Sequence, residues 1–199
     1  NSDTPKVLHE IGGHPMILHV VNTAESLDAD KIIAVLGYKY KMVQNALKNK
    51  SIYYTLQKKQ LGTAHAVLQC QSLLKNFDGN ILVLYGDAPI IQKLTLSKLI
   101  DTHEKTKAWC TILTTNLPHP TGYGRIIRNQ NQSLIKIVEE KDATDKERAI
   151  TEVNSGFYVF DSQILFRLLP LVKNNNLQNE YYLPDVINLI IEETGKVAI

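Results

Sequence analysis

The feature that most constrains the fold of this sequence is an alternation of helix and strand patterns over its first 115 residues. Short runs of consecutive apolar residues, as at 31–36 and 81–85, are typical of strands that are buried on both faces. Between these runs, apolar residues recur at helical spacing, as at 40–47 and 63–74. The alternation predicts an α/β fold in which a mostly parallel, Rossmann-like sheet is flanked by helices.

The region after Pro118 departs from this alternation. Two short apolar runs at 125–128 and 134–138 are joined by a polar turn, which predicts a small inserted β-hairpin. No linker rich in glycine, serine or proline divides the chain, so we predict one domain over residues 1–199. Further strands are predicted at 52–56, 108–115 and 157–160. Further helices are predicted after Pro15, at 95–106 with Thr95 as the N-cap, and after Ser162 as an N-cap, with a helical turn at 145–148. A last helix is predicted at 185–193, with Pro184 in its first turn and Gly195 at its end.

The charge balance and the cysteine content exclude several classes of partner. With 22 Lys and Arg residues against 20 Asp and Glu residues, the net charge is +2, which is no basis for binding nucleic acid or an anionic membrane. The apolar runs are shorter than the roughly 18 residues that a membrane-spanning helix needs. Cys70 and Cys110 are too few for a disulfide framework and lack metal-site spacing. We therefore expect reduced thiols and a cytoplasmic location.

A carboxylate follows the most strand-like segment of the sequence. Tyr85, Gly86 and Asp87 lie at the end of that strand, and ligands of open parallel sheets bind beyond the carboxyl ends of the strands. A carboxylate in this place suits a hard cation such as Mg²⁺, and the glycine before it allows the backbone to approach a ligand. The alternative is a solvated Asp87 that caps the following turn.

A second candidate begins at Gln57, where a predicted strand leads into a helix. Gly62 and Thr63 form the predicted start of that helix, with Thr63 as its N-cap. Free N–H groups at a helix start can bind a phosphate or a base edge, and the Gln57 amide has both a donor and an acceptor to read a base edge. The alternative is an ordinary, well-capped connection between a strand and a helix.

Three polar clusters lie in the second half of the chain. A Gly-Tyr-Gly sequence that ends at Gly124 indicates a tight backbone, either in a hairpin corner or at a surface that approaches a ligand. A charged run that begins at Glu139 is either solvated or binds sugar hydroxyls. The segment around Asn154 is either a turn before a strand or presents its amide to a hydroxyl-rich ligand.

Taken together and in this order, these segments resemble the uridylyltransferase domain of the bifunctional bacterial enzymes that make UDP-N-acetylglucosamine. The resemblance extends over essentially all 199 residues. The set of motifs also separates this family from the thymidylyl- and guanylyltransferases of the same fold. The matching segments are 4–9, 12–16, 60–66, 84–89, 120–126, 138–143, 152–156, 174–176 and 180–182.

The resemblance implies both a fold and a reaction. The implied fold is the nucleotide-diphospho-sugar transferase fold. In the implied reaction, UTP and N-acetylglucosamine 1-phosphate give pyrophosphate and UDP-N-acetylglucosamine, a precursor of the cell envelope. The implied catalytic residues are Lys6, which contacts the nucleotide phosphates, and Asp87, which binds the Mg²⁺ cofactor.

The resemblance also assigns the remaining candidate residues to parts of the substrates. It separates a group around the uracil, a group that lines the nucleotide-sugar site and a group around the N-acetylglucosamine. These groups are Gln57, Gly62 and Thr63; Tyr85, Gly86 and Asp87; and Gly124, Glu139 and Asn154.

The family pattern includes segments without a counterpart among these residues. Family members begin with a strand and a Gly-rich loop that ends in an arginine and holds the triphosphate, just before the match to Lys6. An asparagine that is the second Mg²⁺ ligand, and a left-handed β-helix that carries an acetyltransferase and forms a homotrimer, follow the matched region. We therefore expect the parent protein to be the enzyme and these 199 residues alone to be inactive.

Two other functions stay open at this point. One is a non-catalytic module that binds nucleotide sugars. The other is a sister sugar-phosphate nucleotidyltransferase that acts on a different sugar or base. A comparison of N-acetylglucosamine 1-phosphate with glucose 1-phosphate as substrates would separate the sister enzyme from the leading hypothesis.

Overall fold

The structure, a computed structural model, describes residues 3–193 and 196–199 and alternates helices with strands along the chain. The helices are α1 (Met16–Glu25), α2 (Tyr40–Ala46), α3 (Thr63–Leu68), α4 (Lys93–Thr106), α5 (Asp145–Arg148), α6 (Ser162–Leu168) and α7 (Pro184–Glu193). The strands are β1 (Glu10–Ile11), β2 (His14–Pro15), β3 (Ile33–Leu36), β4 (Tyr53–Leu56), β5 (Asn80–Val83), β6 (Cys110–Asn116), β7 (Arg125–Arg128), β8 (Leu134–Val138), β9 (Glu152–Asp161) and β10 (Val197–Ala198). Short 3₁₀ turns lie at Lys6–Leu8, Gln71–Leu74 and Leu169–Leu171.

Strand β9 is the centre of the larger sheet. It pairs with β5 along one edge and with β6 along the other, and it is antiparallel to both. Strands β5 and β6 therefore run in the same direction, as the alternation predicts, with an antiparallel strand between them. Strand β10 lies parallel to β6, the hairpin β7–β8 joins beside β9, and β3 and β4 form a separate parallel pair. The α/β class is confirmed, but the larger sheet is mixed where the sequence predicted a mostly parallel one.

Helices cover both faces of β9. Tyr158 and Phe160 pack on one face with residues of α6 and α7, whereas Phe157 and Val159 pack on the other face with residues of α4. Side chains alternate along a strand, so a strand covered on both faces must be continuously apolar. A third cluster holds α1 and α2 against the pair β3–β4.

Short-range patterns predicted several local elements correctly. The hairpin strands β7 and β8 and the helix α5 have the predicted bounds. The helix predicted at 63–74 ends at Leu68 and is followed by a 3₁₀ turn. The predicted N-caps Thr63, Thr95 and Ser162 are wrong, because the structure places Gly62, Gln92 and Asp161 there.

The largest local difference concerns residues 152–156, which the sequence assigned to a segment before a strand. In the structure they form the first half of β9. Asn154 and Gly156 have low strand propensity, so the local sequence pattern does not predict a strand here. Gly156 has a φ of 87°, and the pairing of β9 with β6 shifts register opposite it, between Ile112 and Thr114. The glycine therefore allows an irregularity that lets one strand continue across the whole sheet.

Three further expectations from the sequence concern the end of the last helix, the two cysteines and membrane-spanning segments. The predicted end of the last helix at Gly195 lies outside the described residues. Cys70 and Cys110 are buried and free, as predicted. Across residues 3–193 and 196–199, no helix combines the length and the apolar character that crossing a lipid bilayer requires.

Candidate active site

Two residues predicted to act on phosphates lie in contact. Asp87 follows β5, and the ammonium of Lys6 approaches it from the first 3₁₀ turn, with 2.6 Å between Lys6 Nζ and Asp87 Oδ2. The hydrogen bond and the charge of Asp87 raise the pKa of Lys6. The Lys6 side chain is largely exposed, so this pair lies where a ligand can reach both groups.

Gly86 brings the N-terminal segment close to this pair. A Cβ atom at Gly86 would lie 2.7 Å from Ile17 Cδ1 and 3.4 Å from Val7 Cγ1. A side chain at Gly86 would therefore displace Ile17 of α1, whereas Val7, the neighbour of Lys6, lies at ordinary contact distance. This is the local reason for a glycine between Tyr85 and Asp87.

Tyr85 connects this pair to the long central strand. A Cβ atom at Gly156 would lie 2.3 Å from Tyr85 Cε2, so the tyrosine ring packs directly on the glycine. Burial, together with the negative charges of Glu139 and Asp87, raises the pKa of Tyr85 to about 12. Tyr85 therefore lies within electrostatic reach of both carboxylates, one predicted to act at the phosphates and the other at the sugar.

The three residues predicted to bind the sugar lie together. The Asn154 backbone N–H donates to the Gly124 carbonyl at 2.9 Å. A Cβ atom at Gly124 would lie 3.0 Å from Glu139 Oε1. The Asn154 side chain is held in place, since its Nδ2 donates to the Tyr158 hydroxyl at 2.5 Å and its Oδ1 accepts from the Gly156 N–H at 3.1 Å.

Glu139 lies in an acidic and largely buried environment. Burial raises the pKa of Glu139, and the nearby carboxylates of Asp185 and Asp142 add to the rise, while Arg125 opposes it. Burial also raises the pKa of Asp185, in the first turn of α7. The sequence analysis did not select Asp185 as a site residue. The one sequence feature that could have indicated it is a carboxylate directly after a proline at the start of an apolar helix. A carboxylate in these surroundings is suited to accept hydrogen bonds from hydroxyl groups.

Arg125 is a buried cation that connects the loops around Gly124, Glu139 and Asn154, which we call the sugar region. It is 1% exposed, and its Nε and Nη2 donate to the Arg148 carbonyl at 3.3 and 3.2 Å. Its Nη1 donates to the Tyr123 carbonyl, and Nη2 lies 2.7 Å from the buried Oε2 of Glu140, an ion pair without hydrogen-bond alignment. Arg125 thus fixes the Gly-Tyr-Gly loop to the loop that carries Glu139. The sequence identified the loop but not this role of its arginine.

Gln57 lies at the end of β4 and is buried, with 8% of its surface exposed. Its Nε2 donates to the Gly62 carbonyl at 3.0 Å and lies 3.0 Å from His65 Nδ1. Its backbone N–H donates to the Leu36 carbonyl, and its own carbonyl accepts from the Gln60 amide. Four contacts therefore fix Gln57 between β3 and its own loop, and two of them hold the side-chain nitrogen.

Gly62 and Thr63 hold this loop against the segment that precedes α7. Gly62 has a φ of 111°, and a Cβ atom there would lie 2.4 Å from the Tyr181 carbonyl oxygen. The Thr63 hydroxyl accepts from the Leu183 N–H at 2.8 Å. The Ala64 N–H donates to the Tyr181 carbonyl at 2.9 Å, so this N–H is not available at the helix start.

The predicted residues therefore form two groups. One group runs from Lys6 and Asp87 through Tyr85 to Asn154. The other is the loop that carries Gln57. The link between them in the described chain is the segment 180–183, which contacts this loop and leads into α7, where Asp185 approaches Glu139.

A metal ion in this region would need ligands beyond the protein side chains. Across the residues that the structure describes, no group of three His, Cys, Asp or Glu side chains is placed to hold one. Mg²⁺ commonly binds through one or two carboxylates together with substrate phosphates and water. Asp87, a partly exposed carboxylate beside a cation, fits this second kind of site.

Comparisons with known proteins agree with this geometry. Residues 1–198 match the family model described as nucleotidyl transferase. The chain is similar to the bifunctional protein GlmU of Staphylococcus epidermidis, with 47% identity over 194 residues, which are 98% of this chain and 43% of that protein. This similarity confirms the resemblance found in the sequence.

Two solved structures share the fold. One is named as a glucose-1-phosphate thymidylyltransferase from Bacillus anthracis in complex with sucrose, with a TM-score of 0.77 and 21% identity over 98% of this chain and 77% of that chain. The other is UDP-glucose pyrophosphorylase complexed with UDP-glucose, with a TM-score of 0.72 and 19% identity over 96% of this chain and 80% of that chain. The chain itself spans less than half the length of the bifunctional relative.

Proposed function

The chain belongs to the nucleotidyl transferase family, and we propose that its protein transfers a uridylyl group from UTP to N-acetylglucosamine 1-phosphate. The products are UDP-N-acetylglucosamine and pyrophosphate. The observation that carries the proposal is the contact of Tyr85 with Gly156, which joins the Lys6–Asp87 pair to the strand that bears Asn154. This contact supports a site in which the phosphates bind on the side of Lys6 and Asp87 and the sugar binds on the side of Asn154.

The Lys6–Asp87 pair is suited to an in-line displacement at phosphorus. An oxygen of the sugar phosphate attacks the α-phosphorus of UTP, and pyrophosphate leaves with the electrons of the broken bond. Lys6 neutralises charge on the phosphates, as positioned cations do in such transition states. Asp87 would hold Mg²⁺ beside the phosphates, and the bound ion would supply further charge neutralisation.

The sugar region is suited to hold N-acetylglucosamine by its polar groups. Glu139 accepts hydrogen bonds from sugar hydroxyls, which offsets the cost of burying this carboxylate among other acids. Asn154 is fixed by Tyr158 and by the Gly156 N–H, so it presents a rigid polar surface. Gly124 lies beside both residues and leaves room for the ligand.

The loop that carries Gln57 is suited to hold the uracil base. Gln57 is a buried amide whose nitrogen is engaged within the loop. Gly62 and Thr63 act mainly by joining the loop to the segment before α7, since the Thr63 hydroxyl is already bonded to Leu183. We place the activity in the cytosol, and we place a homotrimer and an acetyltransferase in the whole protein.

The test is an assay of pyrophosphate release by the full-length gene product, supplied with Mg²⁺, UTP and either N-acetylglucosamine 1-phosphate or glucose 1-phosphate. We expect turnover with the first sugar phosphate and a much lower kcat/KM with the second. A protein that binds UDP-N-acetylglucosamine without turnover would be the binding module, and preference for glucose 1-phosphate would indicate the sister enzyme.

Asp87→Asn keeps the size of the side chain and removes its charge, so it tests the metal role in the same assay. We expect kcat to fall by about 10²–10³, the typical loss when one transition-state contact is removed, and the Mg²⁺ requirement to rise. Asp101→Asn, on the exposed face of α4, is the matched control. Equal turnover of the Asp87 variant at low Mg²⁺ would contradict the assignment.

A further inference from the structure

Gln57 has one hydrogen-bonding atom that its own loop does not use. The backbone N–H donates to the Leu36 carbonyl at 2.8 Å, and the backbone carbonyl accepts from Gln60 Nε2 at 3.0 Å. The hydrogen bonds of the side-chain amide in the described chain are made through its nitrogen, to Gly62 and His65. The oxygen Oε1 is therefore left for a group outside the chain.

The orientation of this amide is set by two acceptors. The Gly62 carbonyl can only accept, so the amide nitrogen must face it, and an inverted amide would bring two oxygen atoms together. The second hydrogen of the nitrogen points to His65 Nδ1, which accepts only when the imidazole carries its proton on Nε2. The other ring nitrogen, Nε2, lies 3.3 Å from the amide nitrogen of Gln69, and a neutral imidazole can accept at only one of its two nitrogens. We assign the proton to Nε2 because the contact at Nδ1 is shorter and the Gln69 nitrogen already donates to the His65 backbone carbonyl at 2.9 Å. The imidazole packs near Tyr181, at 6.5 Å between ring centroids.

An acceptor held in one orientation discriminates between base edges. The N3 position of uracil is a donor, whereas the N3 position of cytosine is an acceptor and would face the Gln57 oxygen without a hydrogen bond. A site built to bond one polar group rejects a ligand that leaves its buried atoms unpaired. If the amide turned over, the preference would reverse, because its NH₂ group would then face the base.

We propose that His65 is a positioning residue that, together with the Gly62 carbonyl, holds the Gln57 amide in one orientation and thereby supports the selectivity for a base with an N–H at this edge. The inference rests on the proposed function, since it assumes that Gln57 reads the base. His65 does not touch the base; it acts by accepting the second amide hydrogen. The Gly62 carbonyl keeps the amide nitrogen on its side, but without His65 the amide has one bond instead of two and can turn about it, so that Oε1 is no longer held towards the base.

Two substitutions distinguish the hydrogen bond made by His65 Nδ1 from the packing of the His65 ring. His65→Phe keeps a ring beside Tyr181 and removes Nδ1, whereas His65→Asn places an amide oxygen near the position of Nδ1. His103→Phe is the matched control, because His103 is a buried histidine bonded to Thr111 at 2.9 Å on helix α4. The measurements are kcat/KM with UTP and with CTP, KM for the sugar phosphate, and thermal unfolding of each full-length variant.

We expect His65→Phe to lower the ratio of kcat/KM for UTP over CTP at least tenfold through KM, with kcat and the KM for the sugar phosphate unchanged. His65→Asn should keep most of the ratio, and His103→Phe should leave it unchanged. Retention of the ratio within twofold in His65→Phe would overturn the proposal, as would an equal loss in the Phe and Asn variants. A wild-type protein that does not use UTP would overturn the proposed function itself.

A measurement without turnover tests the same point. ¹⁵N NMR of the wild-type imidazole should show His65 Nδ1 unprotonated and Nε2 protonated. This pattern should persist when UTP binds, because Nδ1 still accepts from Gln57. A proton on Nδ1 in the nucleotide complex would overturn the proposal even if the Phe variant loses selectivity.

Discussion

The sugar region and the base loop are built in different ways. The sugar region consists of side chains on and around β9, with the buried charge of Arg125 and the partly buried carboxylate of Glu139. The base loop consists largely of backbone hydrogen bonds between residues 61–64 and 181–183, with one buried amide. The sugar region thus depends on the central core, whereas the base loop depends on the contact between two loops.

This difference predicts which properties of the protein each region controls. A change in the sugar region alters packing or charge in the core, so it should change stability as well as activity: loss of a packed or paired group lowers stability, and removal of the charge of Glu139 raises it. A change in the base loop should move selectivity and nucleotide affinity with a smaller effect on stability. The predictions below test this contrast, beginning with the largest expected effect.

Arg125→Met should destabilise the protein most. It removes the partner of Glu140 and the bonds to Tyr123 and Arg148, and breaking a buried ion pair costs about 3–5 kcal/mol. The matched control is Arg167→Met, whose pair with Glu193 is exposed and should cost about 1 kcal/mol or less. The free energy of unfolding in urea measures both, and equal losses would show that Arg125 does not anchor the sugar region.

Gly156→Ala should have the next largest effect. The new Cβ would meet the Tyr85 ring at 2.3 Å and adopt a φ of 87°; overpacking costs about 1–3 kcal/mol and the left-handed backbone about 1–2 kcal/mol. Gly122→Ala shares a positive φ of 90° but has nothing within 4 Å, so it should show the backbone cost alone. Chemical unfolding of the two variants compares them directly. A Gly156 variant as stable as the Gly122 variant would refute the packing of Tyr85.

Thr63→Val tests the base loop with a smaller expected effect. It removes the acceptor of the Leu183 N–H, and an unpaired N–H costs about 1–3 kcal/mol. We expect stability to fall by about 1 kcal/mol and the KM for UTP to rise, while the KM for the sugar phosphate stays constant. Thr102→Val, whose hydroxyl bonds the Lys98 carbonyl within α4, should change neither constant. A rise in both KM values for Thr63→Val would mean that the loop supports both substrates.

The smallest expected effect on stability is the pH dependence that Glu139 of the sugar region contributes. The pKa of Glu139 is raised above its ordinary value of 4.5 in the folded protein, so its contribution to stability is complete below that value and is lost as the pH rises through the raised pKa. Glu139→Gln should therefore gain stability relative to the wild type between acidic and neutral pH.

Glu152→Gln supplies the control of opposite sign. Arg128 lowers the pKa of Glu152, so the stability that this carboxylate contributes is present above its ordinary pKa and is lost on acidification. This variant should be less stable than the wild type at neutral pH, and the difference should shrink as the pH falls. Unfolding free energies at several pH values test both signs, and parallel curves for Glu139→Gln and the wild type would contradict the acidic environment.

The sequence predicted local features better than long-range ones. The polar turn between β7 and β8 and the charges of α5 define those elements through neighbours in the chain, and both have the predicted bounds. The first half of β9 could not be predicted locally, because Asn154 and Gly156 become strand only when β6 pairs beside them. The same holds for the antiparallel place of β9 in the sheet.

The candidate site shows the same limit. Polar residues after strands indicated Asp87 and Gln57, since ligands bind at strand ends. The pairing of Lys6 with Asp87, the approach of Asp185 to Glu139 and the contact of Gln57 with His65 join elements that are distant in sequence or that carry no local signal. The contacts of the Gln57 nitrogen with Gly62 and His65, from which we infer that the oxygen faces the base, are visible only in the structure.

The central claim is that the sugar region and the base loop bind different parts of the substrates. The most direct test is a crossed measurement of affinity for UTP and for N-acetylglucosamine 1-phosphate, made by titration calorimetry on full-length Asn154→Ala and Gln57→Ala. We predict that Asn154→Ala weakens the sugar phosphate about tenfold, or about 1.4 kcal/mol, and UTP little, and that Gln57→Ala does the reverse. Equal weakening of both ligands by both variants would contradict the division of the site.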